Sequence, residues 1–230
     1  MRINSAKDDA AGLQIADRLT SQINGLNQGN RNASDGIALA QTIESGMDEI
    51  SGMLQKMRTL AVQAANGTNT MEDRNSLGKE MAALATEINR ISTQTTFAGK
   101  SILNGKVAGS IYGEPANAGG GANANPAGAT GTMTLQVGSN KGDTISFNMD
   151  SVYFSAIAND QAIIKDANTF MKVANGVVTV DMTKISFAAT TPQNQKGIGD
   201  VIDLMDKAIA KVDGMRANLG AIQNRLESSI

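Results

Sequence analysis

The sequence predicts a mainly α protein with a small β part: an elongated antiparallel bundle of long helices plus a β-hairpin. Three observations carry that expectation. Over residues 13–65, Ile15, Leu19, Ile23, Leu26, Ala33, Ile37, Ala40, Ile43, Met47, Ile50, Leu54, Met57, Ala61 and Ala64 recur at steps of three and four, with Asn30 filling one slot. That spacing holds one stripe of a helix toward a partner. From residue 197 a similar seam returns in Ile198, Ile202, Met205, Ile209, Val212, Leu219, Ile222 and Leu226. Between the two, Met133, Leu135 and Val137, then Ile145, Phe147 and Met149, alternate with polar residues around a turn at 138–142. This is the pattern of two paired strands. A helix of about 50 residues is roughly 75 Å long at about 1.5 Å per residue. It cannot shield its own seam, so other helices must lie beside it.

Composition narrows the functional classes. The chain has 230 residues and a net charge of −2. It is long enough for a real core, and its charge favours neither nucleic acid nor an anionic membrane surface. It has no Cys, His or Trp. Disulfides, thiolate chemistry, the commonest zinc ligands and the usual neutral-pH proton shuttle are therefore missing. No run of about 18 apolar residues is present, so no membrane span is expected. The reading is of a protein that is not an enzyme, with no catalytic, cofactor-binding or metal-binding residues.

Taken in order, Ser5 can cap the first helix, with Asp8 three positions on. Asp8 and Asp9 diverge by about 100° on a helix, so they do not converge on one ion. The long helix is expected over about 6–65. It carries Gly25, Gly29, Gly36, Gly46 and Gly52, each costing about 1 kcal/mol against Ala in a helix interior. Packing must hold it, and small residues admit close neighbours. Asn66-Gly67 should end it, with Gly67 left-handed. Thr70 then reads as an N-cap ahead of Glu72 and Asp73. A second helix follows over about 71–93, with a seam at Leu77, Met81, Leu84, Ile88 and Ile91. Its short turn implies an antiparallel return along the first helix.

Gly99-Lys100-Ser101 lacks the earlier glycine of a phosphate-binding loop, since position 94 is Gln, and it follows a helix. No nucleotide site is expected. Residues 107–131, rich in Gly, Ala and Asn with Pro115 and Pro126, read as a long surface loop. Residues 151–192 read as a small outward excursion, with a short helix over 156–173, a strand over 177–180 after Asn175-Gly176, and Pro192 closing it. The resulting divisions are 1–106, 107–132, 133–150, 151–192 and 193–230.

Several stretches resemble one family. Residues 2–12, RINSAKDDAAG, and 13–19, LQIADRL, resemble the opening of the bacterial flagellin core. Residues 58–69, RTLAVQAANGTN, resemble its helix-to-helix corner, 135–140, LQVGSN, its hairpin, and 219–226, LGAIQNRL, its carboxy-terminal helix. The resemblance covers about residues 2–106, 133–149 and 195–230. It implies the core of a structural subunit of the extracellular flagellar filament, serving motility, with other flagellin subunits as partners and no nucleic acid or membrane. Residues 107–132 and 151–192 then stand where the family's variable outer parts lie. The family's terminal polymerisation segments have no counterpart here, so the fragment is expected to be monomeric.

The family is also detected by Toll-like receptor 5 through the outer face of its first two helices. The matching positions are Gln55, Lys56, Leu60, Gln63 and Glu80. Many relatives have Arg where this chain has Lys56, a fork of donors exchanged for a point charge. Arg58, half a turn along, is expected to compensate. The plainer alternative is that these side chains serve contacts between subunits. A rival from another class is a soluble helical-bundle adaptor or chaperone with no filament role, which would share the seam but not the hairpin. A metallopeptidase is rejected because residues 107–192 contain no His-Glu-x-x-His pattern.

Overall fold

The computed structural model describes residues 6–115, 127–166, 168–191 and 194–230, with side chains in the first helix from residue 9 onward. The expected cap at Ser5, the closure at Pro192 and the middle of the 107–131 loop lie outside the described residues. Helix α1, Ala6–Ala65, runs unbroken for 60 residues, roughly 90 Å at about 1.5 Å per residue. Helix α2 is Met71–Gln94. Two short strands follow, β1 (Thr96–Phe97) and β2 (Lys100–Ser101). The hairpin pairs β3 (Gly131–Gln136) with β4 (Thr144–Met149) in antiparallel register, Met133 opposite Phe147 and Leu135 opposite Ile145. A one-turn helix α3 (Phe154–Ile157) leads to β5 (Ile164–Lys165), β6 (Met171–Ala174) and β7 (Val177–Val180). A 3₁₀ turn at Met182–Lys184 precedes helix α4, Ile198–Ser228.

Helix α4 lies antiparallel along α1, and polar pairs mark the register. Arg58 Nε is 2.6 Å from Asp206, Arg216 is 3.1 Å from Asp48, and Gln223 donates to Glu44 at 3.3 Å. Between these pairs the seam closes. Ala33, Ala40, Ile43, Met47, Ile50, Leu54, Met57, Ala61 and Ala64 are buried against Val201, Met205, Ala208, Val212, Leu219 and Leu226 in one continuous core. The seam has a limit, however. Ile15, Leu19, Ile23 and Leu26 are 52–60% exposed. Their spacing matches that of Ile43 to Leu54, but nothing in the bundle reaches them.

The glycines of α1 explain how so weak a sequence stays helical. A Cβ at Gly25 would lie 2.6 Å from Ser139 Cβ, and one at Gly29 2.5 Å from the Val137 carbonyl oxygen. The hairpin tip therefore rests directly on helix backbone, and Asn32 fastens it by donating to the Gln136 carbonyl at 2.8 Å. A Cβ at Gly52 would meet nothing within 4 Å outside its own helix backbone. Gly29→Ala is expected to lower stability by about 1–3 kcal/mol through overpacking. Gly52→Ala should raise it by up to about 1 kcal/mol through helix propensity. Urea-denaturation midpoints of the two variants will move in opposite directions.

The corner between α1 and α2 is built differently from the expectation. Gly67 does not take a left-handed conformation. Side chains cap α1 instead. Asn69 Nδ2 donates to the carbonyls of Gln63, at 2.5 Å, and Asn66, at 2.9 Å, and Arg74 Nε donates to that of Ala64 at 3.0 Å. These are the carbonyls that a helix end leaves without partners. The Arg74 guanidinium also lies 3.9 Å from the centre of the Phe187 ring. On the other side of the corner Thr70 and Asp73 form a reciprocal capping box, Asp73 N–H to Thr70 Oγ1 at 3.1 Å and Thr70 N–H to Asp73 at 2.9 Å.

Two readings of the outer segments are corrected. The helix expected over 156–173 ends at Ile157. Asp160, Asp166 and Thr169 accept hydrogen bonds from nearby backbone N–H groups, Ala162, Asn168 and Lys165 among them. Such local bonds compete with the helix ladder. Met171 and Val173 then alternate buried with exposed Lys172 and Ala174, as a strand does. Asn175 and Gly176, at φ of 52° and 80°, form the two-residue turn between β6 and β7. The segment is also no outward excursion. Val152, Tyr153, Phe154, Phe170 and Met171 belong to the main core, so α2 has α1 on one side and this sheet on the other. In the loop, Tyr112 is buried and its hydroxyl donates to the Ile102 carbonyl at 2.7 Å, tying residues 107–113 down.

Candidate interaction surface

Among the described residues, no group of three or more His, Cys, Asp or Glu side chains could hold a metal ion, and no helix is long and apolar enough to cross a membrane. The polar face lies around the α1–α2 corner. Gln63, Asn66 and Asn69 on one side, and Asp73, Ser76, Leu77 and Glu80 on the other, line a shallow groove of about 430 Å³. Its floor is the capped end of α1 and its rim is the first two turns of α2.

The six positions singled out from the sequence do not form one patch. Gln63 and Glu80 face each other across the groove. Gln55 and Lys56 are exposed on α1. Leu60, expected on the outer face, is only 5% exposed. It lies three positions beyond Met57, on the flank of the buried stripe, where a helix widens its apolar face beyond a strict seam. Arg58 is turned away from Lys56, because residues two apart on a helix do not share a face. Its guanidinium is paired with Asp206 of α4. Asn66, Asn69 and Asp73 are groove residues that the reading of the sequence missed. The Thr70/Asp73 capping pattern was the available signal for the rim.

A second cleft, of about 460 Å³, opens where the β6–β7 turn meets α2, between Asn89 and Arg90 on one side and Tyr153 and Gly176 on the other. Arg90 is paired there with Glu87, and holds that carboxyl below the usual carboxylate range. Burial pushes the Tyr153 hydroxyl up, and that oxygen has no hydrogen-bond partner among the described residues.

Residues 1–108 match the family described as the bacterial flagellin N-terminal helical region. Over 239 aligned residues the chain is 37% identical to a flagellin of Xenorhabdus nematophila, covering 96% of this chain and 67% of that one. The chain belongs to the bacterial flagellin family. It is 42% identical over 192 residues to flagellin 1 of Proteus mirabilis and 45% identical over 158 residues to B-type flagellin of Pseudomonas aeruginosa. It spans 46% and 28% of the length of those two flagellins, and 83% and 69% of its own. Among solved structures, Bacillus cereus flagellin superposes with a TM-score of 0.53 at 24% identity, covering 87% of this chain and 86% of that one. A putative flagellar hook-associated protein of Vibrio parahaemolyticus superposes at 0.62 and 17%, covering 98% and 91%. Both share the flagellin-type fold of long helices with a small β part.

Proposed function

We propose that this chain is the core of a structural subunit of the bacterial flagellar filament, acting outside the cell and serving motility. The observation that carries the reading is the flagellin likeness over 96% of the chain. The length of α1 and α4 and the continuous core between them support it, because a filament that transmits torque needs long, well-packed elements. The polar faces of α1 and α2 remain open to neighbouring subunits. The function is mechanical and involves no reaction. The test is replacement: residues 1–230, exchanged for the matching core of the Xenorhabdus nematophila flagellin, should restore filaments and swimming to a strain lacking its own flagellin. Export of a folded chimera that forms no filaments would defeat the proposal.

A second reading is that Lys56, Gln63 and Glu80 form part of a surface recognised by Toll-like receptor 5. Their exposure supports it, and the burial of Leu60 restricts it. Leu60 then contributes to receptor binding only by supporting the helix beneath. Binding of the receptor ectodomain is expected to weaken about tenfold in Gln63→Ala, the scale of one lost polar contact worth about 1.4 kcal/mol. Equal affinity for both proteins, or none for either, counts against this assignment.

A further inference from the structure

Four Asn-Gly steps occur in the chain, at 24–25, 66–67, 104–105 and 175–176. Each holds the atoms of one side reaction. The glycine backbone nitrogen, with no Cβ beside it, can attack the carboxamide carbon of the asparagine. Placement decides whether it does. The fold withdraws three of the four. The Gly25 N–H lies in the hydrogen-bonded interior of α1. Asn104 is 3% exposed, and its Oδ1 accepts from the Ser151 hydroxyl at 2.6 Å. Asn175 is exposed, but at φ of 52° it is fixed in the β6–β7 turn, whose Gly176 carbonyl is clipped to Asn89.

Asn66 is placed the other way. Both it and Gly67 are exposed at the α1–α2 corner. Its Oδ1 accepts from the Thr68 N–H at 3.2 Å, which folds the side chain back across Gly67. The ring closed by that bond contains the Gly67 nitrogen, so the carboxamide carbon is held beside the atom that would attack it. The same Thr68 N–H is aimed at the oxygen where negative charge develops during attack. Among the described residues the Gly67 N–H has no hydrogen-bond partner, so its nitrogen is free to react.

We propose that Asn66 is a site of spontaneous deamidation in the folded chain, with water as the co-reactant. The Gly67 nitrogen gives up its proton and bonds to Asn66 Cγ. The Cγ–Nδ2 bond breaks, and ammonia leaves carrying that proton. Water then opens the cyclic imide, its hydroxyl going to a carbonyl carbon and its hydrogen to the Gly67 nitrogen. Opening at the backbone carbonyl leaves isoaspartate, with the chain rerouted through the former side chain. A free carboxylate then replaces the Asn66 carbonyl, which accepts from the Asn69 N–H at 3.2 Å and from Asn69 Nδ2 at 2.9 Å. It stands at the carboxy-terminal end of α1, where negative charge opposes the helix dipole. The groove there already holds Asp73 and Glu80. The reaction therefore loosens the cap and makes the groove more acidic.

Each step falls in its own tryptic peptide, 19–31, 59–74, 101–106 and 173–184. The whole chain is incubated in mildly alkaline buffer, digested and read by mass spectrometry, where deamidation exchanges an NH for an oxygen. Peptide 59–74 should convert at least about tenfold faster than the other three, on the scale that attack geometry supplies. In guanidinium the four should react at similar rates, which separates the fold from the sequence. An isoaspartyl carboxyl methyltransferase should label the converted peptide 59–74. A Cβ at Gly67 would meet nothing within 4 Å, so Gly67→Ala fits the corner while crowding the nitrogen. It should slow conversion at Asn66 at least about tenfold, with the far-UV circular dichroism unchanged. Conversion of 59–74 no faster than that of 173–184 in the folded chain would overturn the proposal. So would the same ranking of the four peptides in guanidinium, or conversion of 59–74 that accepts no methyl group.

Discussion

Asn89→Ala is expected to destabilise the chain by about 2–3 kcal/mol, the cost of leaving buried backbone groups without partners. Asn89 is 2% exposed. Its Oδ1 accepts from the Phe154 N–H at 2.8 Å, and its Nδ2 donates to the Gly176 carbonyl at 3.0 Å. One side chain thus fastens both the start of α3 and the β6–β7 turn to α2. Three positions back on the same helix face, Thr86 accepts from the Val178 N–H at 3.0 Å. Alanine at 89 leaves both the Phe154 N–H and the Gly176 carbonyl without their side-chain partner. The loss should be local first: amide exchange at Phe154 should rise by a larger factor than at Ile50, whose helix does not depend on the clip. Asn89→Asp separates the two bonds, since it keeps the acceptor and discards the donor. It should cost stability too, by placing a carboxylate against the Gly176 carbonyl. Denaturation midpoints for Asn89→Ala and Asn89→Asp equal to that of the parent chain would show that the clip contributes nothing.

The sequence made the helices legible because their seams are long. Over fourteen positions the three-and-four spacing outweighs the weak propensity of the Gly and Asn residues near 24–36. Periodicity reports which way a helix faces, and is silent on whether a partner stands there. Ile43, Met47, Ile50 and Leu54 are fully buried, whereas Ile15, Leu19, Ile23 and Leu26 carry the same pattern into solvent. Short apolar runs were less legible. Residues 156–173 contain enough Ala and Ile to suggest a helix, but the Asp and Thr side chains that cap backbone groups locally make the turns that end it. The Asn175-Gly176 turn was visible as a strand boundary, and its full meaning as a hairpin needed β6 on the other side.

The candidate surface was harder to read, for a related reason. Sequence spacing resolves direction around a helix only in steps of about 100° per residue, and Lys56 and Leu60, four positions apart, point only about 40° from one another. The structure gives them different surroundings. Lys56 is exposed, Arg58 is paired with Asp206, and Leu60 is buried. Gln63 and Glu80 are far apart in sequence, and come together only because Asn69 and Arg74 cap α1 and fix the corner. The groove follows from the turn, and the turn was assigned to the wrong residue while Gly67 was expected to make it.

The distinction between the covered and bare parts of α1 predicts two very different outcomes for one substitution. Leu54→Ala is expected to lower stability by about 2–5 kcal/mol, the range for truncating a fully buried leucine where the surroundings close only in part. Leu54 has no exposed surface and belongs to the core shared with α2 and α4. Its neighbours along the stripe, Ile50 and Met57, are equally buried, so little can move into the space it vacates. Leu19→Ala removes the same atoms from a side chain that is 55% exposed. It should change stability by no more than about 0.5 kcal/mol, as surface substitutions do. Urea titrations then read the difference directly, with the midpoint falling sharply for Leu54→Ala and holding still for Leu19→Ala. Equal losses for the two would mean that the amino-terminal turns of α1 are covered within a single chain. Equal indifference would mean that α1 and α4 are not held together by their shared seam.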